Sequence, residues 1–171
     1  SAIQTSVKSQ SAIAIADAIN KVSDKTGVTA TANETVVVGS GSASDMTAKQ
    51  TAAKAAGYEA GESGKLYING VDIGVVSLVD DGTGNIDTDA TKANTIDLIN
   101  QKAGQTGVTA EDNGVSITLR AADGRNISVA LDNDGSNNGV DPAAAGANGF
   151  GSLIGLDSAV AGIGEADIGT A

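Results

Sequence analysis

Two acidic stretches hold the residue types that chemistry would need. Asp132-Asn133-Asp134-Gly135-Ser136-Asn137, followed by Asp141, offers side-chain oxygens at alternate positions, as calcium loops do. An EF-hand loop takes Gly at its sixth position and an acid at its twelfth. Here those positions are Asn137 and Ala143, and the stretch reads equally as a polar turn. The second cluster is Asp80-Asp81-Gly82-Thr83-Gly84-Asn85, with Asp87 and Asp89 beyond it. Its plainer reading is a turn into a helix, whose first turn favours acids. Two facing carboxylates could also work as acid and base, as in glycosidases. The chain has 21 Asp and Glu, but no spacing singles out a pair, and two Tyr and one Phe build no sugar-stacking cleft. Gly82-Thr83-Gly84 is too short to be a phosphate loop, which needs Gly-x-x-x-x-Gly-Lys-Ser/Thr. No residue is therefore assigned as catalytic, cofactor-binding or metal-ligating, and the chain is expected not to be an enzyme.

Composition narrows the classes further. Without His or Cys there is no usual zinc, haem or iron–sulfur site, no thiol nucleophile and no Ser-His-Asp triad. Ten Lys and Arg against 21 acids give a net charge of −11, which opposes a phosphate backbone, so no nucleic-acid partner is expected. No stretch approaches the roughly 20 continuous apolar residues of a membrane helix. Ser1-Ala2-Ile3-Gln4 has neither the basic start nor the apolar run of a signal peptide. The 171 residues suit one domain or two very small ones and read as a fragment of something longer. Val, Ile, Leu and Ala must build the core, so thin layers and modest stability are expected.

The elements that would position any site come from a repeat. Asp17-Ala18-Ile19-Asn20 precedes Thr26-Gly27-Val28-Thr29-Ala30, and Asp97-Leu98-Ile99-Asn100 precedes Thr106-Gly107-Val108-Thr109-Ala110. Both blocks are offset by 80 residues (97 − 17 and 106 − 26), and aligning 17–33 with 97–113 gives nine identities in 17 positions. Each copy reads as helix, turn, strand. Ala12, Ile15, Ile19 and Val22 form a helical stripe in the first copy, with Ser9 or Ser11 as cap and Gly27 as stop. Ala93, Ile96, Ile99 and Ala103 form the second, with Asp87, Thr88 or Asp89 as cap and Gly104 as stop.

Leu66-Tyr67-Ile68, Asn69-Gly70, Val71-Asp72-Ile73 signals a hairpin with a type I′ turn, pairing Ile68 with Val71 and Leu66 with Ile73. Alternation at Val115, Ile117 and Leu119, and again at Ile127, Val129 and Leu131, predicts two more strands. Residues 65–131 thus read as strand–strand–helix–strand–strand. In the first copy, Val28 to Val38 gives one or two short strands, and Asp45 to Ala56 an Ala-rich helix. The Asn/Asp/Gly-rich segment 132–149, with the one Pro at Pro142, has loop composition, and Phe150 to Ala171 is weakly apolar. The expected fold is α+β: two related helix–strand units with small, largely antiparallel sheets, each covered by a helix. The divisions are 1–62 for the first unit, 63–131 for the ββαββ unit and 132–171 for a loop-rich return.

As a set, these pieces resemble bacterial flagellins and hook-associated proteins. Asp-x-Ile-Asn followed by Thr-Gly-Val-Thr-Ala is similar to their IN motif, as are Leu66-Tyr67-Ile68-Asn69-Gly70-Val71 and Ile117-Thr118-Leu119 before Ala122-Asp123-Gly124-Arg125-Asn126-Ile127. Ser11 to Asn20 is similar to the stretch where a flagellin chain leaves its coiled-coil core. The resemblance covers most of residues 9–131. It implies a structural protein: the solvent-exposed outer region of a flagellar filament subunit, extracellular, a motility component and surface antigen. Other flagellin subunits would be partners through terminal helices outside this chain, with self-contacts between outer domains as an addition. The two chain ends would lie close together. No cofactor, nucleic acid or membrane is implied. The alternatives are a hook-associated or filament-cap protein and a surface adhesin or glycan-binding module. Ser and Thr on polar faces would suit O-linked sugars as well as plain solvation.

Overall fold

A computed structural model describes residues 11–39, 48, 51, 58–132 and 150–156. The expected Asp45 to Ala56 helix lies outside these, except for Ala48 and Thr51, which are helical. The expectation that the chain ends are close also lies outside them.

Local signals explain where the helices start and stop. Helix α1 (Ala12–Asn20) begins at Ser11, whose hydroxyl accepts from the Ala14 N–H at 3.4 Å. The short helix α2 (Ser23–Thr26) follows and closes on Gly27 at φ 70°, a left-handed position that glycine takes without a Cβ penalty. Helix α3 (Thr88–Gln101) begins at Asp87, whose carboxylate accepts from the Ala90 N–H at 2.9 Å. Gly104 is not its stop. The chain turns once more as α4 (Ala103–Thr106), and Gly107, at φ 70°, ends it. Gly104 keeps a right-handed conformation inside that turn, so the residue that reverses the chain is the counterpart of Gly27.

Beyond each turn the same hydrogen bonds recur. The Asn20 carboxamide donates to the Ala30 carbonyl at 2.8 Å and accepts from the Ala30 N–H at 2.8 Å. Asn100 does the same to Ala110, at 3.0 and 2.8 Å. The Thr26 hydroxyl donates to the Val22 carbonyl and accepts from the Val28 N–H, at 3.1 and 3.2 Å. Thr106 repeats this with Lys102 and Val108, at 3.2 and 3.1 Å. A side-chain amide carries one donor and one acceptor at the right spacing to hold both backbone groups of one residue. Asn at the helix end therefore fixes where the following strand starts.

The strands are β1 (Thr35–Val38), β2 (Ser63–Ile68), β3 (Val71–Ser77), β4 (Val79–Asp80), β5 (Ile86–Asp87), β6 (Thr109–Asp112), β7 (Ile117–Ala121) and β8 (Val129–Asp132). Among the described residues they form antiparallel sheets ordered β1-β7-β6, β3-β2-β8 and β4-β5. The mixed helix and small-sheet architecture is α+β. Strand β1 does not build a separate sheet with its own helix. It joins the edge of the later one, Val37 opposite Leu119 and Val38 opposite Thr118.

The β2–β3 hairpin turns at Asn69 (φ 52°) and Gly70 (φ 77°), as a type I′ turn requires. Ile68 faces Val71, but Leu66 faces Gly74, not Ile73, because the register shifts between Leu66 and Tyr67. Gly74, at φ 124°, supplies a backbone conformation closed to other residues. The bulge has a packing consequence: Ile73 and Val76, three positions apart, both face inward, while Val75 is exposed.

The core gathers Leu66, Ile68, Ile73, Val76, Ile99, Val108, Ile117 and Leu119, with Val37 from β1. Leu153, Ile154 and Leu156, after the short helix α5 (Phe150–Leu153), pack into it as well. Helix α3 lies over β3 and β6. Its inward face is Thr88, Thr91, Lys92, Thr95 and Ile99; Ala93, counted in the expected stripe, is exposed. Threonine is tolerated there because its hydroxyl is satisfied within the helix. Thr91 donates to the Asp87 carbonyl at 2.7 Å and Thr95 to the Thr91 carbonyl at 2.8 Å. The methyl groups remain to pack.

Candidate functional site

The acidic turn after β4 uses its carboxylates on its own backbone. Asp80 Oδ1 accepts from the Gly82 and Gly84 N–H groups, at 2.7 and 3.1 Å. Asp81 Oδ1 accepts from the N–H and hydroxyl of Thr83, at 2.7 and 2.6 Å, and from the Asn85 N–H at 3.2 Å. The Thr83 hydroxyl, with these backbone donors, holds the Asp81 carboxyl below its usual range. Asp87 caps α3 and Asp89 stands 3.4 Å from Lys92. The turn thus spends two acids on shape and two on the helix start. Of the other candidate, Asp132 ends β8, while Asn133 to Asn137 and Asp141 lie outside the described residues. Among the described residues, no three acids converge as a metal site would require.

The carboxylates that approach one another do so across a cation. Arg120 on β7 holds Glu34 at 3.3 Å and Glu111 on β6 at 3.0 Å, on the outer face of the sheet. Arg125 grips Asp123 through Nε, at 2.8 Å, and donates to the Thr106 carbonyl at 3.0 Å. The Arg125 hydrogen bonds to Asp123 hold that carboxyl below its usual range. The guanidinium lies over Gly107 so closely that a side chain there would collide with it.

Lys92 was not singled out by its sequence position. Its side chain is 4% exposed, and Nζ lies 3.0 Å from Asp112 on β6. Burial pushes the Asp112 carboxyl up, but the Gly114 N–H and Lys92 outweigh it and keep it below the usual range. The lysine stem lies beside Gly155, 3.3 Å from where a side chain there would begin. The faint available signal was a cation at helical spacing between Thr88 and Thr95 on the inward face.

Asn69 joins the pieces. Its carboxamide accepts from the Ser128 N–H at 2.9 Å and donates to the Thr106 carbonyl at 3.1 Å. The hairpin tip is so tied to the end of α4. The arrangement is a set of backbone clamps, each made by one Asn, around an aliphatic core. It can hold shape; it presents no converging acid, base and nucleophile among the described residues.

The first helix presents a different surface. Ile15, Ile19, Val22 and Val28 are 51%, 36%, 46% and 53% exposed. Of α1, Ala16 is the buried residue.

Residues 2–44 match the family model described as the flagellin hook IN motif. This segment is similar to a flagellin IN motif. It spans α1, α2 and β1, with the Ile19-Asn20 pair and its clamp on Ala30 inside it. The match covers 43 of the 171 residues (44 − 2 + 1) and shows a likeness of that segment to flagellin hook proteins. No curated protein matches the chain. Among the described residues, no helix is long and apolar enough to cross a membrane.

Proposed function

We propose that this chain is the solvent-exposed outer region of a flagellar filament subunit, extracellular and without catalytic work. The IN motif at residues 2–44 carries the reading. The net charge of −11 suits a filament surface, since like charge keeps neighbouring filaments apart. Residues 12–30 and 88–110 are two copies of one structural unit. On that basis we divide the chain at 1–62, 63–131 and 132–171, with β1 pairing with β7 across the first two. Other subunits are the partners, through segments beyond this chain.

The motif's description as a hook motif favours a second reading, a hook-associated or cap protein. Antibody raised against this chain, viewed with gold on intact cells, separates them. Labelling along the whole filament is expected. Labelling confined to the hook junction or the tip would move the assignment to the second reading. Labelling of cell bodies without filaments would support an adhesin and overturn both.

A further inference from the structure

We propose that Asn113-Gly114, in the turn between β6 and β7, is a gated deamidation site whose modification unfastens β1 from the sheet for good. The co-reactant is water. Base takes the proton of the Gly114 amide, and its nitrogen attacks the side-chain carbonyl carbon of Asn113. The bond from that carbon to the carboxamide nitrogen breaks, and ammonia leaves after taking a proton from solvent. Water then opens the resulting succinimide to aspartate or isoaspartate. Glycine after Asn favours the step because it puts no side chain in the path of the ring.

The gate is the hydrogen bonding of the two reacting groups. The Gly114 N–H donates to Asp112 Oδ1 at 2.7 Å. Asn113 Oδ1 accepts from the Val115 and Ser116 N–H groups, at 3.1 and 2.7 Å. Its Nδ2 donates to the Gly39 carbonyl at 3.1 Å and to the Ser116 hydroxyl at 3.0 Å. Ring closure needs a free Gly114 nitrogen and a carboxamide turned toward it, so these bonds must open first.

The strand that opens them is β1. Gly39 follows its last residue and donates to the Ile117 carbonyl at 3.1 Å. The seam there is tight, since a Cβ on Gly39 would strike the Ser116 hydroxyl. Yet β1 is four residues long and pairs on one side, with β7, while Val36 and Val38 are exposed. A short edge strand frays at lower cost than the core opens. Once β1 frays, the Asn113 carboxamide loses its Gly39 partner. Gly114 itself is exposed, with open space around it, so water reaches the succinimide.

The product does not refasten. An ionised carboxylate accepts only, so it has no N–H to give the Gly39 carbonyl, and it adds charge next to Asp112. Isoaspartate also lengthens the turn backbone by a methylene. Asn69-Gly70 has the same chemistry but a different gate. Its carboxamide holds Ser128 and Thr106, which belong to the hairpin seam and not to β1. It serves as the internal reference.

The test incubates the full chain in mildly alkaline buffer and follows Asn69 and Asn113 by peptide mapping and isoaspartate assay. Deamidation at Asn113 is expected to be slower in the folded chain than in urea, on the order of tenfold or more. Val37→Ala removes the buried residue of β1 and should speed Asn113 while leaving Asn69 unchanged. In the product mimic Asn113→Asp, exchange of the Gly39 N–H should quicken. The Asn69 N–H, bonded to the Ser128 carbonyl at 2.8 Å, should keep its rate. Equal rates at Asn113 in folded and denatured chain would overturn the gate, as would equal acceleration at both asparagines by Val37→Ala. Unchanged Gly39 exchange in Asn113→Asp would overturn the release, and that arm stands even if Val37→Ala does not fold.

Discussion

Residues 12–30 and 88–110 share a helix, a turn, a left-handed glycine and an asparagine clamp, yet they differ in what covers them. In the second, Ile99 and Val108 are fully enclosed by the hairpin and the sheet; in the first, Ile19 and Val28 face outward. The clamp bonds differ by no more than 0.2 Å (3.0 − 2.8), but those of Asn20 are exposed and those of Asn100 part-buried. Short-range hydrogen bonding thus sets the shape of the unit, and tertiary cover sets its stability. A hydrogen bond open to water contributes little net free energy, because water competes for both partners.

That contrast predicts unequal effects from equal substitutions. Ile99→Ala empties a fully buried site and should cost about 3 kcal/mol in urea unfolding. Ile19→Ala should cost about 0.5 kcal/mol or less, as surface changes do. Equal losses would break the comparison. Next in size, Asn100→Ala leaves the Ala110 backbone groups part-buried without their clamp and should cost about 2 kcal/mol. The same change at Asn20 should cost under about 1 kcal/mol. Gly107→Ala faces both a left-handed backbone and the Arg125 guanidinium, so about 2 kcal/mol is expected, whereas Gly27→Ala meets only the backbone penalty of about 1 kcal/mol. Adding Arg125→Ala should bring the two glycine variants together.

The pH dependence is a smaller effect. Asp112 and Asp123 have carboxyls held below the ordinary 3.8 in the folded chain. A depressed acid contributes stability that is fully present above its unfolded value and is lost as pH falls through its folded value. Stability should therefore drop below about pH 4, and Asp123→Asn should flatten that limb in an acid titration followed by circular dichroism. The smallest effect expected is at Arg120, whose ion pairs with Glu34 and Glu111 lie on the outer face. Arg120→Ala should leave Tm unchanged in high salt.

Much of this was legible in the residues themselves. Asn69-Gly70 announced the hairpin because that turn needs left-handed conformations which few residue types accept. The repeated Asp-x-Ile-Asn block marked both helices, although the stop read at Gly104 falls at Gly107. The bulge at Gly74 was not legible: it shows only when Ile73 and Val76 must both face a core, and that demand is tertiary. Helix α3 hid its inward face for a similar reason. Threonines and a lysine look solvent-facing until their hydroxyls bond within the helix and Lys92 finds Asp112. The stripe Ile15, Ile19 and Val22 was legible as apolar, but periodicity does not say whether a partner covers it. The acidic turn gave its residues away but not their use, since Asp80 and Asp81 serve backbone donors that any Asx-rich turn supplies.

The most direct test of the account is amide exchange at Ala30 and Ala110 in the same sample. Both N–H groups donate to an asparagine at 2.8 Å, so bonding alone predicts similar protection. Cover predicts that Ala110 exchanges slower by about a hundredfold or more, opening only with the core. Equal rates at the two positions would contradict it.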